Sequence, residues 1–90
     1  MTSNSNKLAD YLKEKRIAAG LTQKAVSDAL GYSTPQFISN WERGLASPPL
    51  TALAQLVELY GLNSSELIEL IMREQEGELR RVLAPTRRKA

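Results

Sequence analysis

The sequence predicts an all-α protein, a compact bundle of five helices. Apolar residues recur at spacings of three and four, which is the helical period and not the alternation of strands. Proline and glycine stand between these segments. Because 90 residues suffice for one modest core, we expect one domain over residues 7–83. We expect a flexible arm before it (1–6) and a flexible basic tail after it (84–90).

Capping signals bound the first two helices. Gly20 ends the first helix in the usual C′ position, and Thr22 can cap the second with its side-chain oxygen. Gly31 then supplies the next turn. The predicted helices span about 7–19 and 23–30.

The third helix begins at a cap residue followed by proline. Ser33 or Thr34 can cap it, and Pro35 fits its first position, where a missing N–H costs nothing. The residue before a proline prefers an extended backbone, as a cap residue does. We therefore predict a helix over about 35–43, ended by Gly44.

The last two helices lie on either side of Gly61. The fourth is predicted over about 49–60. Asn63 and Glu66 have the spacing of a capping box, so the fifth is predicted over about 64–83. The residues expected to face inward across the five helices are Leu8, Tyr11, Leu12, Val26, Leu30, Leu50, Leu53, Leu56 or Val57, Tyr60, Leu67, Leu70 and Ile71.

Composition argues against several classes of site. The chain has no cysteine or histidine, so a disulfide framework and the usual zinc and haem ligands are excluded. Its apolar runs are far shorter than a membrane span, and the N-terminus lacks a signal-peptide core. We expect a cytoplasmic protein with no cofactor, metal, membrane or small-molecule partner. An enzyme is the least expected class, because a Gly-rich phosphate loop is missing as well.

Charge is unevenly distributed along the chain. Residues 1–44 hold six basic and four acidic side chains, residues 45–79 hold one and six, and residues 80–90 hold five basic ones alone. This distribution suits a protein that presents one face to a polyanion. The alternative for the tail is a solvated, disordered end.

The third helix has two distinct faces. Ile38 and Trp41 lie three apart on an apolar face that can anchor on the core. Gln36, Asn40 and Arg43 share another face. Glutamine and asparagine can bond adenine through two hydrogen bonds in the major groove, and arginine can bond guanine or a phosphate. The pattern predicts a helix that reads double-stranded DNA.

The chain resembles the lambda-repressor-like, Cro/C1-type (XRE) helix-turn-helix family from about Leu12 to Leu70. The resemblance implies that helices two and three form the helix-turn-helix. It also implies a sequence-specific transcriptional regulator, a repressor that binds a near-palindromic operator as a homodimer. The matching residues are Arg16, Gly20, Leu21, Thr22, Gln23, Leu30, Gly31, Ile38, Ser39, Glu42, Arg43, Gly44, Pro48, Leu53, Gly61, Glu66 and Leu67.

The resemblance also assigns roles to individual residues. In the family the glutamine that opens helix two contacts a phosphate, the first residues of helix three read bases, and an ion pair corresponding to Arg16 and Glu42 fixes helix three. Here the turn is one residue longer and Pro35 occupies a reading position, which shifts readout to later residues. The expected base readers are Gln36, Asn40, Phe37 and Thr34. The expected phosphate contacts are Gln23, Thr22, Lys24, Ser39 and Arg43.

Several of these residues have an alternative interpretation. Gln36 and Asn40 could be solvated surface, and Lys24 could be an ordinary exposed lysine. Phe37 either packs a thymine methyl or folds against Trp41, and Trp41 itself is expected in the core.

The fifth helix carries more apolar surface than a small core needs. Its surplus residues predict a homodimer contact, the alternative being one helix folded fully onto its own domain. A second function also stays open, a protein-interaction module that keeps the fold, because Pro35 and Phe37 replace typical polar readers. The expected dimer residues are Ile68, Met72, Leu79, Val82 and Leu83.

Overall fold

Five helices and no strand make up residues 7–84, the part of the chain that the computed structural model describes. They confirm the all-α prediction, with the starts of the third and fourth helices one residue later than expected. The proposed arm (1–6) and residues 85–90 of the proposed tail lie outside the described residues. The helices are α1 (Lys7–Ala18), α2 (Gln23–Leu30), α3 (Gln36–Glu42), α4 (Leu50–Tyr60) and α5 (Ser64–Leu83).

The helix ends are fixed largely by local side chains. The Thr22 hydroxyl accepts the N–H of Ala25 at 3.0 Å, and the Asn63 amide oxygen accepts that of Glu66 at 2.9 Å. Both contacts satisfy N–H groups that a helix start leaves without a partner. Gly31 ends α2 in the left-handed conformation, with φ of 87°, which glycine adopts without steric cost.

Helix α3 begins at Gln36 with Pro35 as its N-cap residue, so the predictions that Ser33 or Thr34 caps it and that Pro35 takes its first position were wrong. The Thr34 hydroxyl accepts the N–H of Gln36 at 2.9 Å, across Pro35. The carbonyl of Pro35 accepts the N–H of Ser39 at 3.0 Å, so the helical hydrogen bonding already begins at the proline.

All five helices contribute to one core. The N-terminal half of α5 packs mainly against α1, and Leu67 is its fully buried residue. Partly buried Tyr11, Leu30, Val57, Leu70 and Ile71 pack against the core from its edges. The buried core side chains are Leu8, Leu12, Val26, Ile38, Trp41, Ala52, Leu53, Leu56, Tyr60 and Leu67.

Leu50 was expected in the core, and this expectation was wrong. The residue is 81% exposed at the first position of α4. Leu50, Leu53, Leu56 and Leu59 repeat every three residues, but a helix turns once in 3.6 residues. A three-residue series therefore rotates around the helix, and Leu50 falls off the inward face that Leu53 and Leu56 define.

Helix α5 docks on α1 and then extends beyond the domain. The N–H of Leu8 donates to Glu74 Oε2 at 3.0 Å, and the Tyr11 hydroxyl donates to Glu66 Oε1 at 3.1 Å. Every residue from Gln75 to Leu83 is exposed. This projecting half of α5 accounts for the elongated shape, 53 Å in its longest dimension against 26 and 25 Å in the others. None of the helices within residues 7–84 is long and apolar enough to span a membrane.

Candidate nucleic-acid interface

The turn between α2 and α3 is fixed by a buried serine. Ser27 is 1% exposed, and its hydroxyl lies 2.7 Å from the carbonyl oxygen of Thr34 and 3.3 Å from that of Tyr32. The Tyr32 N–H in turn donates to the Ser27 carbonyl at 2.9 Å. One small buried hydroxyl therefore contacts the carbonyl groups of Tyr32 and Thr34 inside the longer turn. These contacts set where α3 begins. Sequence reasoning missed Ser27, although a small polar residue beside Val26 on the inner face of α2 was an available signal.

Tyr32, a second residue that sequence reasoning missed, joins two aromatic side chains of α3. Its ring centroid lies 4.9 Å from that of Phe37 and 5.9 Å from that of Trp41, the latter in an edge-to-face arrangement. Trp41 is buried, as expected. Phe37 was expected either at a thymine methyl or against Trp41. Its ring packs on Tyr32 and not on Trp41, and 54% of its surface stays exposed, so the contact with a thymine methyl stays a prediction.

A hydrogen-bonded network connects α1, α2 and α3 at Glu42. The Glu42 carboxylate accepts Arg16 Nε at 2.7 Å and Arg16 Nη2 at 3.1 Å, which is a two-point guanidinium–carboxylate pair. Its Oε1 also accepts Gln23 Nε2 at 3.0 Å. Arg16 Nη1 donates further to the carbonyl of Leu21 at 2.8 Å. The network thus ties the C-terminal end of α3 to α1, and it also holds the first residue of α2.

The network is largely removed from solvent. The side chains of Arg16 and Glu42 are 11% and 3% exposed. The hydrogen bond to Glu42 raises the pKa of Arg16 above its ordinary value. Nearby Tyr60 has its pKa raised to about 12, first by burial and then by the charge of Glu42. The ion pair is therefore a fixed part of the fold and keeps α3 in place.

The exposed face of α3 carries two amide side chains in contact. Gln36 Nε2 donates to Asn40 Oδ1 at 2.9 Å. Gln36 is exposed and Asn40 is half-buried. Arg43 is exposed just beyond the last turn, and Ser39 is half-buried beside Asn40. Of the candidate readers, Thr34 lies in the turn before α3, Gln36 and Phe37 lie at its start, and Asn40 lies one turn further on.

The candidate phosphate contacts divide between the start of α2 and α3. Thr22 caps α2, Gln23 is held by Glu42, and exposed Lys24 pairs with Asp28 at 3.1 Å, one turn on. These three residues surround the N-terminus of α2, where free N–H groups favour an anion. Ser39 lies on the polar side of α3, and Arg43 is the residue that caps its C-terminal end.

The candidate dimer residues lie apart from these sites, on α5. They begin beside the core with Ile68 and continue along the projecting half of the helix. Their exposed fractions range from 56% for Leu79 to 71% for Leu83. Three ion pairs within the helix, including Arg73–Glu69 and Arg80–Glu76, occupy its charged side chains. Within residues 7–84, these apolar side chains of α5 are not covered by other parts of the chain.

Comparison with known proteins agrees with this architecture. A family model described as Helix-turn-helix matches residues 12–67, more than half of the chain. The chain is also 36% identical over 63 residues to the HTH-type transcriptional regulator DdrOP3 of Deinococcus deserti, an alignment that covers 70% of this chain and 48% of that protein. The chain thus spans about half the length of this relative. No solved structure gives a significant match. The chain belongs to the helix-turn-helix family, of the lambda-repressor-like Cro/C1 type.

Proposed function

We propose that this chain is a sequence-specific DNA-binding transcriptional regulator, a repressor that binds a near-palindromic operator as a dimer. One observation carries the proposal. Exposed Gln36, half-buried Asn40 and exposed Arg43 share one face of α3 and its C-terminal cap, while the other face is anchored by buried Ile38 and Trp41. Amide and guanidinium groups are the side chains that bond base edges in the major groove. The family to which the chain belongs, and the name of its relative as an HTH-type transcriptional regulator, support a role in transcriptional regulation.

The anchoring of α3 supports sequence reading over loose contact with DNA. Sequence reading depends on the penalty for a wrong base, which leaves a buried donor or acceptor of the protein without a partner. The penalty is paid only if the helix holds its side chains in one orientation and they cannot turn to another partner. The Glu42 network fixes the end of α3 against α1 and α2, and Ser27 fixes its start. Little conformational freedom is then left to be lost when DNA binds.

Phosphate contacts are proposed for the start of α2 and for α3. Gln23 and Lys24 lie in the first turn of α2, where the helix dipole favours an anion. Arg43 and Ser39 would contact phosphates from α3 and its C-terminal end. Such contacts fix the register of a protein on the duplex without reading its sequence.

A second copy of the chain is the proposed partner of α5. Ile68, Met72, Leu79 and Val82 follow the alternating spacing of four and three that places side chains on one seam between two helices, with Gln75 at the intervening position. Gly77 lies off that seam, so it leaves the contact intact. The exposed segment from Gln75 to Leu83 is shorter than an isolated helix needs for stability in water. Pairing with another α5 would cover the seam and stabilise this half of the helix.

Repression follows from occupancy in this proposal. A dimer places two α3 helices in successive major grooves, one turn of DNA apart, which requires a two-fold symmetric site. A protein held there with high affinity excludes other proteins from a promoter that overlaps the site. No effector or catalytic step is needed, and the family match agrees with a non-enzymatic role.

A protein-interaction module is the second candidate. It is favoured by Phe37, an aromatic side chain that is 54% exposed two residues after Pro35, where polar side chains would suit contact with DNA bases better. The acidic residues of α4 and α5 would also oppose a polyanion that approached from their side.

The salt dependence of duplex binding separates the two candidates. The affinity of the purified chain for a mixed-sequence duplex is measured at rising salt. A DNA-binding protein loses affinity steeply, with a log–log slope of about −0.9 for each phosphate contacted. Arg43→Ala should make that slope shallower by about one contact. A chain that binds the duplex weakly and with no salt dependence would contradict the proposal in favour of the interaction module.

A further inference from the structure

The side chains of Gln36 and Asn40 are bonded to each other on the exposed face of α3. Gln36 Nε2 donates to Asn40 Oδ1 at 2.9 Å, across one helical turn. Each side chain alone carries one oxygen acceptor and two N–H donors, so the two amides are chemically equivalent before they meet. The hydrogen bond ends this equivalence, because one residue gives up a donor and the other gives up an acceptor position.

What remains on each amide decides which base it can bond. Gln36 keeps its Oε1 acceptor and one N–H donor. That pair matches adenine, which offers an N6 donor and an N7 acceptor in the major groove. Asn40 has its oxygen turned toward Gln36 and keeps the two N–H donors of Nδ2. A side chain that faces the groove through its N–H donors matches a keto base, through guanine O6 and N7 or thymine O4.

We propose that Gln36 and Asn40 act as one reading unit, in which Gln36 reads an adenine and Asn40 donates to a keto base in the neighbouring base pair. The inference rests on the proposed function, DNA reading by α3, and specifies the half-site. One helical turn is about 5.4 Å and a base-pair step about 3.4 Å. Side chains one turn apart on a helix in the groove therefore reach neighbouring base pairs. Asn40 also holds the Gln36 amide in the orientation that adenine needs.

The test uses discrimination ratios, which do not depend on overall affinity. A site is first obtained by selection from random duplex DNA with the wild-type chain. Affinities are then measured for that site and for each single-base replacement in one half-site. The affinity of the wild-type chain should fall about 5- to 150-fold when one adenine of the half-site is replaced. It should fall by a comparable factor when the adjacent keto base is replaced by an amino base.

Three variants separate the two roles. Gln36→Ala should remove the discrimination at the adenine. Asn40→Asp keeps an oxygen that accepts from Gln36 but has no N–H. This variant should therefore keep the preference for adenine and prefer an amino base to a keto base at the neighbouring base pair. Asn40→Ala should remove the neighbouring preference and also lower discrimination at the adenine, by about threefold or more, because the amide of Gln36 is no longer held.

Lys24→Ala is the matched control. Its effect should be an equal loss on every duplex, because a phosphate contact carries no sequence information. Circular dichroism of each variant verifies that the domain is still folded, which the exposure of Gln36 and the partial exposure of Asn40 favour.

Other outcomes overturn the unit in distinguishable ways. If Asn40→Ala leaves the adenine discrimination at its wild-type value, the two residues read independently. If the adenine preference is lost in Asn40→Asp and kept in Gln36→Ala, the two amides have the opposite roles. If the wild-type chain selects no site at all, the proposed function fails first, and the reading unit fails with it.

Discussion

Glu42 and Arg16 form a two-point ion pair, at 2.7 and 3.1 Å, between the last residue of α3 and the last turn of α1. The Glu42 side chain is 3% exposed, so this carboxylate has exchanged water for Arg16 and Gln23. Buried ion pairs add little net stability but are costly to break, because the remaining charge keeps its desolvation penalty. The orientation of α3 therefore depends on a pair in which replacement of either residue alone leaves a buried charge without its partner.

Removal of one partner should destabilise the fold strongly. Glu42→Ala leaves the Arg16 guanidinium largely buried without its carboxylate, so we expect a loss of about 3–5 kcal/mol in the free energy of unfolding. Urea denaturation followed by circular dichroism measures it. The control is Asp28→Ala, which breaks the exposed Lys24–Asp28 pair and should cost less than about 1 kcal/mol. Equal losses for the two variants would show that burial of the Arg16–Glu42 pair has no energetic consequence.

Two glycines should respond to alanine in opposite directions. Gly61 has φ of 67°, a conformation that costs an alanine about 1–2 kcal/mol, although no atom lies within 4 Å of the added Cβ. Gly77 lies within α5 with equally open space. Its replacement should stabilise the helix by about 1 kcal/mol. Thermal unfolding of Gly61→Ala and Gly77→Ala compares them, and a stabilised Gly61→Ala would mean that the turn after α4 is not left-handed.

Tyr60 should make the fold sensitive to alkali. Its pKa is raised to about 12 by burial and by Glu42, while the pKa of an unfolded tyrosine is 10.0. The unfolded state therefore loses this proton first, and the stabilising contribution, complete below pH 10, is lost as pH rises toward 12. Tyr60→Phe should lose less stability over that window than the wild-type chain. Parallel pH dependences of the unfolding free energy would assign the alkaline loss to other groups.

A charge on the exposed apolar stripe of α5 (Ile68, Met72, Leu79, Val82 and Leu83) should separate the proposed dimer. Met72→Glu and Leu83→Glu each place a carboxylate on the exposed apolar stripe, where a partner helix would have to desolvate it. We expect the mass in sedimentation to fall from dimer to monomer while the helix content of the domain stays. Ile17→Glu is the control, because Ile17 is 57% exposed on α1, away from the stripe. An unchanged mass for both α5 variants would remove these residues from any interface.

The sequence was sufficient for the elements whose signals are local. Thr22, Asn63 and Gly31 act within a few residues of the helix end that each one sets, so propensity and spacing identified them. Leu50 was misassigned because a three-residue leucine series only approximates the helical period. Periodicity indicates which face is apolar, but the residue at the edge of that face is decided by tertiary packing.

The candidate site was less accessible to sequence reasoning, for a physical reason. The resemblance to a family brought Arg16, Glu42 and Gln23 into consideration, but the hydrogen bond from Gln23 to Glu42 depends on how α2 meets α3. Ser27 and Tyr32 were missed because their roles lie in carbonyl groups and rings that come close only after folding. The bond between Gln36 and Asn40 was compatible with their four-residue spacing, but spacing does not decide which amide donates.

The central claim, that α3 reads DNA sequence in a dimer, is tested most directly by selection from random duplex DNA with the purified wild-type chain. We predict enrichment of a two-fold symmetric motif whose half-sites lie about 10 base pairs apart, centre to centre. The same selection with Gln36→Ala should enrich a motif in which one position of each half-site has a weaker base preference. A folded wild-type chain that enriches no motif would contradict the claim.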